Sequence, residues 1–318
     1  MTSPVIHLGS SAVEIVEVAP RDGFQSMMDP LPTATKIGLI EALLDAGFRR
    51  MEIGSFVSPR AVPQMADMAA IAEHFRNRDG VCLAALVPNR KGAELALEHH
   101  IRELVFVFSA SESHNLRNVS QTIAESLCEL EEIQSVLRGT DGSRLRVDLA
   151  TSFDCPYDGE VPADKVHRAV DQIRSIAKDA EIALCDTTGR ANPHQVHRTL
   201  AAMISEFGGP ENWAFHGHDT FGLGVANALF AYQAGVRTFD TSAAGLGGCP
   251  FAPGATGNTA SEDLVFAFEG SGIATGVCLE RLLSAADRIA EIPGACLGGH
   301  LRTVPRSRAL QATKSSPS

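Results

Sequence analysis

None of the seven cysteines pairs with another as C-x-x-C: Cys82, Cys128, Cys155, Cys185, Cys249, Cys278 and Cys296 are scattered and odd in number. That spacing excludes a zinc knuckle and argues against a disulfide framework, so reduced thiols in a cytosolic compartment are expected. Positive charge is also short: 27 Lys and Arg stand against 38 Asp and Glu, a formal net charge of −11. A nucleic-acid binder would usually show a basic face, so nucleic acid is not an expected partner. No apolar run approaches the length that spans a bilayer, so no membrane is expected either. Met1 to Ala12 lacks the charged start and long apolar core of a secretory signal, and it carries no Arg, unlike a mitochondrial transit peptide. Ser315-Ser316-Pro317-Ser318 is not a peroxisomal address. The expected location is cytoplasmic. No G-x-G-x-x-G follows the first strand candidate, which leaves an open dinucleotide-binding sheet without support.

What is present is a regular alternation of short apolar runs with longer helical ones. Strands are predicted at Val13–Val18, Arg50–Ile53, Val81–Val87, Glu103–Phe108, Leu145–Ala150, Glu181–Cys185, Trp213–His218 and Thr238–Ser242. Helices are predicted at Thr33–Ala46, Met65–Phe75, Gly92–His99, Ser120–Leu137, Ala163–Ala177, Pro193–Phe207, Val225–Ala234 and Ser261–Glu269. Eight strand-then-helix units are the signature of an α/β fold closed as a TIM (β/α)₈ barrel. Val277–Ile292 reads as an additional C-terminal helix, so residues 1–292 are expected to form one catalytic domain. From Gly298 the composition turns basic and Ser/Pro-rich, with Arg302, Arg306, Arg308 and Lys314, and 293–318 is expected to be a flexible tail.

In such a barrel chemistry sits where strands end. Strand seven leads into Phe215-His216-Gly217-His218-Asp219-Thr220. Alternation along a strand places His216 and His218 on one face, a metal-chelating arrangement. Asp22, after the first strand, completes a His₂–carboxylate set, and Asn258 could add a carbonyl oxygen. Mixed N and O ligands without thiolate favour Mg²⁺ or Mn²⁺ over structural zinc. As bland competitors, Asp22 fits a turn or helix cap and Asn258 a turn residue. Arg21 beside a candidate metal ligand is unusual and makes sense if it faces a developing anion; a surface salt bridge is the plain alternative. Glu52, at the neighbouring strand end, fits an ion pair that holds Arg21 or, as the plain alternative, a structural carboxylate. Asp186 is placed to orient a substrate hydroxyl or carbonyl, and Asp219 to accept from a metal-bound His. Cys249 sits in a Gly-rich loop able to close over substrate and move a proton; the plain alternative, a small apolar residue in a turn, fits the other six cysteines better. Strand interiors read as apolar, with ionisable groups gathered at their C-terminal ends.

Ala19-Pro20-Arg21-Asp22-Gly23, Glu52 with Ser55-Phe56-Val57-Ser58-Pro59, His216-x-His218-Asp219-Thr220, Gly245-Leu246-Gly247-Gly248-Cys249-Pro250, Gly257-Asn258 and Glu262-Asp263 together resemble the 3-hydroxy-3-methylglutaryl-CoA lyase family. The resemblance runs from about Val13 to Leu283, and the Cys249 loop is specific to the lyase branch of its superfamily. It implies a divalent metal held by Asp22, His216, His218 and Asn258, Arg21 polarising a thioester carbonyl, Glu52 positioning it, and Cys249 in the catalytic loop. The implied reaction is a retro-Claisen cleavage of an acyl-CoA substrate to acetyl-CoA and a keto acid, acetoacetate for the type substrate. The base is open among Asp22, Asp186 and a metal-bound water. Gln25, Asn89 and Lys91 are candidates for substrate and CoA contacts, though a solvated helix start explains Asn89 and Lys91 equally well. The resemblance also makes a homo-oligomer plausible and suggests leucine catabolism.

The sequence departs from the family at Phe24, Gly54, Phe221-Gly222-Leu223, Phe251, Thr256 and Thr259. None removes a residue of the site, but the acyl group is left open, with citramalyl-CoA a related substrate. An isopropylmalate synthase-like condensing enzyme is the second reading. It is disfavoured because only a short tail follows Ile292. A non-catalytic interaction barrel is the third, disfavoured by the intact set of seven site residues.

Overall fold

The computed structural model describes residues 12–248 and 257–312. Eight parallel strands are β1 (Glu14–Glu17), β2 (Arg50–Ser55), β3 (Cys82–Leu86), β4 (Glu103–Ser109), β5 (Arg144–Ala150), β6 (Glu181–Asp186), β7 (Trp213–Gly217) and β8 (Thr238–Thr241). They close in sequence order, β8 pairing with β1 through Glu14↔Thr238 to Glu17↔Thr241. The helices are α1 (Thr33–Asp45), α2 (Met68–Phe75), α3 (Arg90–Glu98), α4 (Glu112–Asn118), α5 (Ile123–Leu137), α6 (Ala163–Ile176), α7 (Pro193–Phe207), α8 (Gly224–Ala234), α9 (Ser261–Gly270), α10 (Leu279–Ala290) and α11 (Arg306–Ala312). The barrel follows the predicted order, with boundaries within a few residues. Among the described residues no helix is long and apolar enough to cross a membrane.

Local chemistry sets many of these ends. Asn192 accepts from Gln195 N at 3.0 Å with Pro193 in the first turn, so α7 starts where a cap and a Pro specify it. Thr122 and Glu125 form a reciprocal capping box on α5. The sequence pattern missed α4 and a short hairpin, Asp154–Cys155 against Gly159–Glu160, because both are too short to show a period. The segment that reads as a flexible tail differs from expectation over 300–312. Asp263 accepts from the His300 and Leu301 amides at 2.7 Å each, and Leu301 and Ala309 are buried. Apolar residues inside a basic run carry that docking, which composition alone hides.

The interior corrects a second expectation. The strands are not apolar within: Arg50, Glu103, Arg146, Asp148 and Asp240 are all buried. Arg50 donates to Glu103 at 2.7 Å and to Glu181 at 2.8 Å, and Arg146 donates to Asp148 at 2.6 Å and to Asp240. Each ion is tolerated because an opposite charge meets it, across the barrel for Arg50–Glu103 and Arg146–Asp240 and along β5 for Arg146–Asp148.

Glu17, at the end of β1, is a fully buried carboxylate. Its Oε1 accepts from Ala19 N at 2.8 Å and Ala243 N at 3.0 Å, and its Oε2 from Ser261 Oγ at 2.7 Å. Burial outweighs these donors and pushes the carboxyl from 4.5 up to about 7. The folded state therefore binds this proton more tightly than the unfolded chain. Its stabilising contribution is full below pH 4.5 and is lost as pH rises through about 7, on the order of 3 kcal/mol in all. Urea melts of the wild type and Glu17→Gln between pH 4.5 and 8 check this. The wild type should lose ground to the variant across that window, and parallel curves would rule it out.

Candidate active site

The first strand ends in a single wide turn, Ala19–Gly23, with Pro20 at its start. The Val18 carbonyl accepts from the amides of Arg21 at 3.1 Å and Asp22 at 2.8 Å, and more weakly from Gly23 at 3.5 Å. A Cβ on Gly23 would sit 2.8 Å from Leu246 Cδ2, so this residue is kept small by the facing loop. The turn holds Arg21 and Asp22 at the mouth of the barrel. Arg21 Nη1 donates to Asp22 Oδ1 at 2.6 Å, and Arg21 Nε is ion-paired to Glu52 Oε2 at 2.9 Å. Burial works against the guanidinium charge, but Glu52 and Asp22 outweigh it and hold Arg21 cationic. Burial likewise pushes Glu52 up to about 7, with Arg21 opposing.

At the end of β7, His216 and His218 lie on one face with ring centroids 5.3 Å apart. An isolated bridge between His218 and Asn258 carries the Asn onto the same mouth. Asn258 Nδ2 donates to Asp22 Oδ2 at 2.8 Å and to the Leu246 carbonyl at 3.2 Å. The seat is tight: a Cβ on Gly257 would lie 2.4 Å from the Gly247 carbonyl carbon. Ligand atoms of Asp22, His216 and His218 all lie within 4.8 Å of one another. Asn258 Oδ1 and His218 Nδ1 are buried with no hydrogen-bond partner among the described residues. Orphaned acceptors beside a carboxylate are what a cation site leaves when it is built from its ligands alone.

The charge states suit a cation. Burial would raise the Asp22 carboxyl, but Arg21, His216 and His218 outweigh it and hold it at about 2. Burial lowers His218 to about 4, with His216 adding to it. Burial also works to lower His216, but the Asp240 carboxylate 3.0 Å from its Nδ1 reverses the sign and raises it. Asp240 is the group sequence reasoning missed, together with its partner Arg146. The signal was present in Arg146-Val147-Asp148 and Phe239-Asp240-Thr241, where ions sit at inward-facing alternate positions of otherwise apolar strands.

The remaining predicted residues are distributed differently. Asp219 Oδ1 accepts from Gly224 N at 2.7 Å, at the start of α8, and the carboxylate that meets His216 Nδ1 is Asp240. Asp186 is fully buried and accepts from Ala191 N at 3.2 Å and Asn227 Nδ2 at 3.4 Å, so it is not brought into the donor cluster. Burial pushes it up to about 7. Asn89 caps α3, accepting from Gly92 N at 3.0 Å, and Lys91 and Gln25 are exposed. Cys249, Phe251 and Thr256 lie outside the described residues. The departure at Gly54 has a local reason: its φ is +156°, and a Cβ there would sit 2.5 Å from Met68 Sδ.

Comparison with known proteins fits this geometry. The HMGL-like family model matches residues 12–289. The (R)-citramalyl-CoA lyase of Chloroflexus aurantiacus is 44% identical over 289 residues, 87% of this chain and 89% of that protein. The hydroxymethylglutaryl-CoA lyase of Bacillus subtilis is 42% identical over 305 residues, 96% of this chain and 98% of that protein. A solved HMG-CoA lyase from A. baumannii, in complex with coenzyme A and 3-methylmalate, superposes with a TM-score of 0.85 at 39% identity, covering 95% of this chain and 96% of that one. The matched span takes in Arg21, Asp22, Glu52, His216, His218 and Asn258 alike, and the chain belongs to the HMGL-like family.

Proposed function

We propose that the protein is a carbon–carbon lyase of the hydroxymethylglutaryl-CoA lyase type, cleaving a 3-hydroxy-3-methylacyl-CoA to acetyl-CoA and a keto acid, acetoacetate where the acyl group is 3-hydroxy-3-methylglutaryl. The observation that carries the reading is one buried arginine held by Glu52 and Asp22 beside the His216/His218/Asn258 donors. Asp22, His216, His218 and Asn258 would hold Mg²⁺ or Mn²⁺, which supplies Lewis-acid polarisation and a template for the substrate's hydroxyl and carboxylate oxygens. The donor set fits such an ion: one ionised carboxylate, one amide oxygen and two imidazoles, with no thiolate.

The chain's own part is electrostatic. Arg21 faces the thioester oxygen on which negative charge grows as the C2–C3 bond breaks. Its two carboxylate partners fix it before the reaction, so no reorganisation is needed at the moment of charge development. Glu52 keeps the guanidinium aimed by its ion pair at Nε, leaving the outer part of the fork for substrate. Asp22, held ionised, is a weak base and a good ligand. Cys249, a catalytic-loop residue by family resemblance, would supply a proton to the departing acetyl-CoA enolate.

Two acyl groups fit the relatives, and a coupled assay for acetyl-CoA release separates them. With Mn²⁺ or Mg²⁺ present, 3-hydroxy-3-methylglutaryl-CoA is the expected substrate, and EDTA is expected to abolish its cleavage. Cleavage of citramalyl-CoA alone would favour the second reading, which rests on the 44% identical citramalyl-CoA lyase. Release from neither substrate, in protein that still binds Mn²⁺, would count against both.

A further inference from the structure

The barrel interior carries an unbroken line of ion pairs that ends on a histidine of the donor cluster. It begins at Glu103 on β4, whose Oε1 accepts from Arg50 Nε at 2.7 Å. Arg50 Nη2 donates to Glu181 Oε1 at 2.8 Å, and that oxygen lies 3.4 Å from Arg146 Nη1. Arg146 Nη2 donates to Asp240 Oδ2, and the same oxygen is 3.0 Å from His216 Nδ1. Arg50, Glu103, Arg146 and Asp240 are each 4% exposed or less.

Stability does not account for this arrangement. Buried ion pairs roughly break even against apolar side chains of the same volume, and barrels of this kind are ordinarily filled with branched aliphatics. What the line supplies is direction. Asp240 holds both Arg146 and His216 through one oxygen, while its Oδ1 has no hydrogen-bond partner among the described residues. The carboxylate is therefore aimed at the ring by Arg146. Arg146 is itself held from two further sides, by Asp148 at 2.6 Å and Glu181. A neutral imidazole that donates Nδ1–H to a carboxylate has its lone pair on Nε2.

We propose that Arg146 and Asp240 are positioning residues of the metal site: Arg146 fixes the Asp240 carboxylate, and Asp240 takes the His216 Nδ1–H, leaving Nε2 as the nitrogen offered to the cation. This rests on reading Asp22, His216, His218 and Asn258 as metal ligands.

Two readouts test it. Mn²⁺ dissociation constants, measured by electron paramagnetic resonance, should weaken about 10–100-fold in Asp240→Asn and Arg146→Met. Arg146→Lys should recover part of the loss, since an ammonium restores the charge but not the planar fork. The ¹⁵N shifts of the His216 ring, read without metal at a pH high enough that the ring is neutral, should report the Nδ1–H tautomer in the wild type and a tautomer mixture in Asp240→Asn. A merely structural role would leave that tautomer unmoved. Arg146→Met strands two buried carboxylates and is the variant at risk of misfolding; Asp240→Asn keeps the shape and carries the test alone if needed. Wild-type affinity and tautomer in folded Asp240→Asn would overturn the proposal. A wild type that binds no Mn²⁺ would overturn the metal reading instead, and the tautomer would still decide whether Asp240 orients His216.

Discussion

Replacing Arg21 by Met is expected to lower kcat for acetyl-CoA release by about 10²–10³-fold, the usual effect of deleting one preorganised donor to a developing oxyanion. Mn²⁺ affinity should not fall with it. Arg21 Nη1 lies 2.6 Å from Asp22 Oδ1, so the guanidinium competes with a cation for that carboxylate. Removing it frees an acceptor and removes a like-charge repulsion, and binding is expected to hold or tighten. The variant also leaves Glu52 buried without its partner. Glu52 is already pushed up to about 7 by burial, and without Arg21 it should take up a proton and stay neutral through the assay range. Arg21→Lys should recover a minor share of the rate, because an ammonium cannot span Asp22 and the reacting oxygen as a fork does. Steady-state kinetics paired with Mn²⁺ titration separate the two effects. A kcat loss accompanied by an equal loss of metal affinity would mean that Arg21 serves the ligand shell, not the enolate.

The barrel was legible in the sequence because its signal is repeated: eight apolar runs, each followed by a helical period, predict a closed sheet even where single boundaries slip. His216 and His218 were legible because a strand's alternation alone puts them on one face, and Asp22 because it stands at a strand end next to a cation. The order of events along the chain hid the rest. Asp240 is 24 residues from His216 in sequence and adjacent only because β7 and β8 pair, with Asp240 opposite His216. Arg146 reads in sequence as an unwelcome charge inside a strand, and only the closed barrel supplies Asp240, Asp148 and Glu181 around it. Asp219 follows His218 directly, and its Oδ1 accepts from the first amide of α8, a contact that the spacing along the chain does not announce. Asn89 shows why such positions are ambiguous in sequence: a polar residue after a strand reads equally as a helix cap and as a ligand contact, and the bond it makes here is the cap.

Removing a histidine of the cluster should cost more than removing its amide. His218→Ala is expected to abolish detectable turnover and weaken Mn²⁺ by about 100-fold or more, while Asn258→Ala should weaken it about tenfold, by analogy with the loss of a supporting partner at a metal site. The difference follows from what each side chain offers. His218 is lowered to about 4, so it enters neutral pH as a free imidazole and loses nothing to protonation when it binds. Asn258 would contribute a carbonyl oxygen, a weaker donor, although its amide also steadies Asp22 at 2.8 Å. His216 is the opposite case. Asp240 raises it, so in the metal-free protein it keeps a proton to higher pH than an ordinary histidine. A cation must displace that proton. Mn²⁺ affinity is therefore expected to rise with pH, by up to about tenfold per unit, until the His216 proton is gone, and then to level off. The sign is fixed by which histidine titrates. If His218 alone controlled binding, affinity would already be flat above about pH 4. Calorimetric titrations at pH 6, 7 and 8 in two buffers of different ionisation enthalpy give both the affinity and the protons released. Proton release that shrinks as affinity levels off identifies His216 as the ligand that must be cleared, whereas affinity independent of pH with no proton release would remove it from the site.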